Sequence, residues 1–167
     1  DPAVVSDAAD RLINFGESTA TTFTVLSAGR PWAQRPVDAC LITGADSPVC
    51  STVTTAADGT VTLTRTAAAS FQVRVSVGGA ERTVTYRVRA TAVVTPAGRG
   101  VLEVRIGGAS GQAVRLQRDT GAGWSSVLTF AAAAQVTIDG LDPGARYRVV
   151  VAATPTLTGT ISDPAQL

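Results

Sequence analysis

The sequence contains no histidine, lysine or methionine, and aromatic residues make up only 5% of its 167 residues. Without histidine there is no Ser-His-Asp or Cys-His arrangement and no histidine-based zinc site. Without lysine there is no Schiff base and no Ser-Lys dyad. A pair of aspartates stays open as a catalytic arrangement, but no spacing singles one out. We therefore expect no catalytic residues, no metal site and no cofactor.

Long apolar runs and an excess of charge of one sign are also missing. The longest apolar stretches fall short of the 18 or more residues that a membrane span needs. The formal net charge is +1, whereas nucleic-acid-binding domains usually carry a concentrated basic excess. The sequence thus predicts neither a membrane span nor a nucleic-acid partner.

The residues that are present favour strands. Hydrophobic residues make up 45% of the chain, and 16 glycines and 8 prolines interrupt short runs rich in threonine and valine. Both of these residues are β-branched and favour strands. No window shows the helical period of 3.6 residues, so the sequence predicts an all-β fold. Residues 1–10 alone are expected to form a lead-in or a short helical turn.

The predicted strands fall into two cycles. Seven lie between residues 12 and 89, and a second cycle begins near residues 90–94. Seven strands are enough for a small β-sandwich. The sequence therefore predicts two tandem Ig-like β-sandwiches, at residues 1–92 and 93–167.

One motif locates the second cycle within a known fold. The order Leu141, Pro143, Gly144, Tyr147 within residues 140–151 resembles the E–F corner of fibronectin type III domains. The resemblance implies that the Tyr147 hydroxyl bonds back to the upstream backbone where the chain crosses between sheets. It marks these four residues as structural and names no ligand.

A second resemblance covers most of the chain. Residues 29–31 and 53–61, and then 114–118 with Gly123, Trp124 and Val127, resemble bacterial Ig-like repeats of secreted or cell-surface actinobacterial proteins. Such modules commonly lie beside the catalytic domain of an extracellular hydrolase or in adhesins. A non-catalytic role outside the cell is what this resemblance implies.

Cys40 and Cys50 are the only cysteines. With a turn at residues 44–46 they fall almost opposite each other across a hairpin, with both sulfurs pointing outward, where a cross-strand disulfide can form. Such a bridge is typical of an oxidising compartment. Two free thiols are the alternative, and a metal site lacks the further ligands that it would need.

Two groups of side chains are candidates for a binding surface. Arg74, Arg87 and Arg89 are expected on one outward face of a hairpin, where they either bind an acidic polymer or keep the sheet soluble. Trp32 and Trp124 lie near loops, where each either stacks on a sugar ring or covers an end of the core. Turn aspartates such as Asp139 and Asp142 either bind calcium or, as is usual in turns, form hydrogen bonds with their own backbone.

These observations predict a non-catalytic extracellular spacer, adhesion or partner-binding module. One alternative is an accessory substrate-binding region of a secreted protease or glycoside hydrolase, and another is a structural subunit of a surface fibre. The expected partners are cell-wall or extracellular polysaccharide or another protein domain, and self-assembly through sheet edges is a further expectation.

Overall fold

The computed structural model describes all 167 residues, Asp1–Leu167. The first nine strands are β1 (Pro2–Ser6), β2 (Arg11–Asn14), β3 (Ser18–Ser27), β4 (Arg30–Pro31), β5 (Pro36–Thr43), β6 (Val49–Thr54), β7 (Thr60–Thr66), β8 (Phe71–Val77) and β9 (Ala80–Arg89). The other strands are β10 (Thr91–Gly98), β11 (Val101–Gly107), β12 (Ala113–Asp119), β13 (Trp124–Ala131), β14 (Gln135–Ile138), β15 (Arg146–Val151), β16 (Thr160–Ile161) and β17 (Ala165–Gln166). The predicted all-β class is confirmed, and the structure has no helix that could cross a membrane.

The chain divides into two compact units. The first unit comprises residues 1–13 and 17–88, and the second comprises residues 14–16 and 89–167. Each unit is an Ig-like sandwich of two antiparallel sheets. The domain ranges 1–92 and 93–167 stay a prediction.

In the first unit, β1, β3, β4 and β7 form one sheet, and the other has the order β2-β9-β8-β5-β6. Strand β3 shows why the chain folds this way, because Phe23 and Val25 alternate with threonines and are fully buried. Opposite them, Val75 and Val84 are fully buried on the second sheet. Burying one face of each strand leaves the other face to solvent.

In the second unit, β10, β11 and β14 form one sheet, while β13, β12, β15 and β16 follow one another in the other. Strand β17 pairs with the start of β15. The core contains Leu102 and Val104 from β11, Leu116 from β12 and Val149 from β15, all fully buried. Aliphatic side chains from both sheets thus fill the space between them.

The expectation for residues 1–10 is wrong over its first half. Residues Pro2–Ser6 form strand β1, which pairs antiparallel with β3, with Val4 opposite Val25. Val4 and Val5 are β-branched and favour a strand, but the run is short, and hydrogen bonds to a neighbouring strand decide the conformation. Tertiary pairing commonly overrides a weak local preference in this way.

The hairpin turns follow local chemistry. Ser27 pairs with Arg30, so that Ala28 and Gly29 form a two-residue loop with φ of 51° and 75°. Such loops need positive φ at both positions, and this matches the right-handed twist of the strands. This two-residue loop leads directly into the short strand β4.

Candidate binding surfaces

The motif around Tyr147 forms a closed corner. Tyr147 is 2% exposed, and its hydroxyl accepts a hydrogen bond of 3.1 Å from the backbone N–H of Asp142. Gly144 has a φ of 85°, and its N–H donates to the carbonyl of the C-terminal residue. Leu141 packs against the core of the second unit, whereas Pro143 is exposed. The Tyr147 hydroxyl and the Gly144 N–H thus hold the backbone of this corner in place.

The two cysteines form a disulfide with an S–S distance of 2.06 Å, as the sequence predicts. They lie directly opposite each other on β5 and β6. Cys50 is exposed, but Cys40 is only 3% exposed, so the expectation that both sulfurs reach solvent holds for one alone. The guanidinium of Arg74 on β8 lies 3.7 Å from the Cys40 sulfur and helps to cover it.

The three candidate arginines do not form one cluster. Arg74 pairs in register with Thr83, and its Nε lies 4.0 Å from Glu81. Arg87 is exposed four residues further along β9, which is about 13 Å at the rise of an extended strand. Arg89 donates from Nη2 and Nε to the side-chain oxygen of Asn14 at 2.9 and 3.2 Å. Arg74 and Arg89 are thus engaged within the fold.

An arginine guanidinium lies over the ring of each tryptophan. The guanidinium of Arg35 lies 4.5 Å from the ring centroid of Trp32. On β13, Trp124 pairs with Asp119, and its ring is faced by Arg148 at 4.3 Å and Arg146 at 5.9 Å. Cation–π contacts of this kind stabilise a pair and occupy one of the two ring faces on which a sugar could stack.

Two of the turn aspartates, Asp142 and Asp58, are held by neighbours. Asp142 is ion-paired with Arg118, which offsets the negative charge that a calcium ion would require. Asp58 accepts hydrogen bonds of 2.7 Å from the Thr60 hydroxyl and 3.1 Å from the Thr60 N–H. The hydroxyl bond, followed by the backbone bond, holds the pKa of the Asp58 carboxyl below its usual value. Both are turn contacts.

A groove of about 360 Å³ opens between β6 and β7 in the first unit. We call it the β6–β7 groove. Strand β6 pairs only with β5, and β7 pairs only with β3, so each presents an unpaired edge. The lining includes Leu41, Val53, Leu63 and Arg65. The sandwich is therefore open along one side.

The sequence reading missed Arg65. In β7 the alternation places Val61, Leu63 and Arg65 on the core-facing side, and Thr62 and Thr64 on the other. An arginine in phase with two core residues is a signal that the strand pattern itself contains. Its guanidinium lies 5.3 Å from the ring centroid of Phe71.

Comparison with known proteins gives similarity to solved structures only. No protein-family model matches the chain, and no curated protein matches it. A tetra-tandem repeat from the extending region of a large adhesion protein is 14% identical, with 100% of this chain and 49% of that chain covered and a TM-score of 0.48. A two-domain fibronectin type III segment of chicken tenascin is 12% identical, with 99% and 97% covered and a TM-score of 0.49.

The BSP domain of a biofilm-associated protein is a further similar structure. It is 19% identical, with 98% of this chain and 29% of that chain covered and a TM-score of 0.34. The chain thus spans about half of the adhesion-protein repeat and under a third of the biofilm-associated structure. The fold assignment rests on the strand pairing of the chain itself.

Proposed function

We propose that the chain is a non-catalytic extracellular module, which acts as a spacer or in adhesion and binds a protein partner. The observation that carries this proposal is the use of its chemically distinctive side chains within the fold. The cysteines join β5 to β6, the Tyr147 hydroxyl bonds the corner backbone, and arginines cover both tryptophans. In other proteins such side chains serve as nucleophiles or bind ligands. In this chain they stabilise the two sandwiches.

The disulfide supports the extracellular setting. Cross-strand bridges of this kind persist in oxidising compartments and are reduced in the cytosol. The bridge also holds β6, whose residues are otherwise mostly exposed, against β5. An edge strand fixed in this way suits a module that works outside the cell.

Covered tryptophan faces favour a protein partner over a polysaccharide. Polysaccharide binding through stacking needs an aromatic ring with an open face, and Arg148 lies over the ring of Trp124. The role of an accessory region of a secreted hydrolase would require that arginine to move away. Sheet edges, by contrast, bind extended protein segments through backbone hydrogen bonds.

The test offers the full chain to insoluble cell-wall polysaccharide and to protein-coated beads, and assays hydrolysis of peptide, ester and glycoside reporters. We expect retention on protein-coated beads alone and no turnover. Retention on polysaccharide that Trp124→Ala abolishes would instead support the accessory region of a hydrolase. Turnover of any reporter at a rate that scales with protein concentration would contradict the proposal.

A further inference from the structure

The β6–β7 groove exposes apolar side chains at positions that face the core. Leu41, Val53 and Leu63 point into the space between the sheets, yet each is only partly buried. At the other end of β7, Val61 occupies an equivalent position and is 8% exposed. Covering the three exposed side chains with further apolar surface would lower the free energy of the system. The groove therefore offers an apolar surface on which the side chains of a ligand could pack.

The guanidinium of Arg65 adds a charge to this apolar groove. Its Nε is buried and has no hydrogen-bond partner. The ion pair of the first unit joins Arg74 to Glu81 and leaves Arg65 out. A buried N–H without an acceptor is costly, and a carboxylate is the acceptor that matches a guanidinium best. A ligand that brings a carboxylate to the Arg65 Nε would therefore supply the missing acceptor.

A comparable groove in the second unit has its charge neutralised. It has a volume of about 310 Å³ between β13 and β14 and is lined by Leu128, Ile138 and Arg118. There, Arg118 is ion-paired with Asp142 of the same unit. The contrast singles out the first unit, where the arginine has no such partner.

The strand edge beside the groove is available for pairing. The second edge of β7 carries no neighbouring strand, and its threonines favour extended structure. Opposite it, the disulfide between Cys40 and Cys50 fixes β6 to β5. An extended segment could add to β7 while β6 stays in place as the far wall.

We propose that the β6–β7 groove binds an extended, acidic peptide segment of another protein, which pairs with β7 as an added strand. This proposal rests on the proposed function of a partner-binding module. Alternate aliphatic side chains of the peptide lie on Leu41, Val53 and Leu63, and one aspartate or glutamate carboxylate accepts hydrogen bonds from Arg65. Strand addition supplies backbone bonds, while the pockets and the carboxylate set specificity.

The charge requirement favours a different protein over a second copy of this chain. Four acidic residues lie in strands, and each has a neighbour that bonds its carboxylate. Thr52 donates to Asp38, and arginines pair with Glu81, Glu103 and Asp119. A second copy would have to break one of these contacts to offer a carboxylate from a strand.

The test selects a displayed library of random heptapeptides on the full, oxidised chain. We expect enrichment of peptides that alternate aliphatic residues and carry one aspartate or glutamate. The most enriched peptide, labelled with a fluorophore, should bind Arg65→Gln at least about tenfold more weakly than the unmodified chain. Arg30→Gln, which changes an exposed arginine on β4 outside the groove, is the matched control and should bind normally.

A second peptide isolates the contact between charges. The same sequence with its carboxylate replaced by an amide should lose the same factor against the unmodified chain and almost nothing against Arg65→Gln. Hydrogen exchange should slow at the β7 amides when the acidic peptide binds. Leu63→Thr, which keeps the strand but removes apolar surface, should also weaken binding, and it serves if Arg65→Gln does not fold.

Three outcomes would overturn the proposal. These are a library without enrichment, equal binding by Arg65→Gln, or dimerisation that Arg65→Gln abolishes while no peptide binds. The last outcome would assign the groove to a second copy. If any of these outcomes occurs while Arg65→Gln is still retained on protein-coated beads, the groove is not the binding site. The proposed function as a partner-binding module would then still hold.

Discussion

The hydroxyl oxygens of Thr21 and Tyr86 lie 2.5 Å apart in the interior of the first unit. Both residues are fully buried, on β3 of one sheet and β9 of the other. The Tyr86 ring also stacks on Phe71, with centroids 5.0 Å apart. A polar bond thus joins the two sheets within an apolar core, where each hydroxyl satisfies the other.

Thr21→Val should destabilise the protein more than the loss of one hydrogen bond, because it leaves the buried Tyr86 hydroxyl without a partner. The expected loss in free energy of unfolding is about 1–3 kcal/mol, measured by urea denaturation. Tyr86→Phe in the same background should restore part of it, since no orphaned hydroxyl then remains. Strictly additive single and double variants would contradict the coupling.

Strand β3 shows which features of the fold can be predicted from the sequence and which cannot. Alternation predicts the strand and places Phe23 inward, and by the same phase it places Thr21 inward. The partner of Thr21 lies 65 residues away in the chain, and local sequence carries no information on which distant hydroxyl it will meet. Register between sheets is set by packing of the whole core.

The candidate sites show the same division. The turn between β5 and β6 lets the sequence predict the disulfide between Cys40 and Cys50, because both cysteines lie in one hairpin. The cover over Cys40 comes from Arg74 on β8, which no hairpin rule predicts. Likewise, Arg65 becomes informative only once β7 is seen to be an edge strand beside an open groove.

Tyr147→Phe should remove the acceptor of the Asp142 N–H and cost about 0.5–1.5 kcal/mol of unfolding free energy. The specific readout is hydrogen exchange at the Asp142 amide, which should become faster while the core amides of β15 exchange as before. Ser125→Ala, at an exposed position on β13, is a control for substitution alone. An unchanged exchange rate at the Asp142 amide would contradict the hydrogen bond between this amide and the Tyr147 hydroxyl.

Replacing both cysteines, as Cys40→Ala with Cys50→Ala, should cost about 2–3 kcal/mol in the chain-entropy treatment of a short closed loop. Reduction of the unmodified protein should lower its stability by a similar amount, and reductant should leave the double variant unchanged. Mass spectrometry under non-reducing conditions checks the starting state. Two alkylatable thiols in protein made in an oxidising compartment would contradict the bridge.

Thr60→Val should raise the pKa of Asp58 towards its usual value, because it removes the hydroxyl bond that lowers this pKa most. The backbone bond remains, so the rise should be partial. A lowered pKa in the folded state stabilises the protein above the unfolded-state pKa, and this contribution is lost as the pH falls through the folded-state pKa. Carboxyl NMR titration of both proteins measures the shift, and identical titration curves would contradict the bond.

Gly108→Ala should destabilise the second unit more than Gly111→Ala. Both glycines have positive φ, 95° and 79°, so both alanines carry the strain of left-handed backbone, about 1–2 kcal/mol. Only at Gly108 would the new Cβ also lie 2.8 Å from a ring carbon of Phe15, whereas nothing lies within 4 Å at Gly111. Overpacking adds about 1–3 kcal/mol at such a contact.

The Phe15 ring makes that difference testable by a cycle. In a Phe15→Ala background the two closest contacts, with ring carbons at 2.8 and 3.1 Å, disappear, and only the contact with the Cβ of residue 15 at 3.3 Å remains. Gly108→Ala should then lose most of its excess cost over Gly111→Ala. Thermal or urea unfolding of the five variants and the parent supplies every term. If Gly108→Ala keeps its excess cost without the ring, then backbone conformation alone explains the glycine, and Phe15 does not contact this turn in solution.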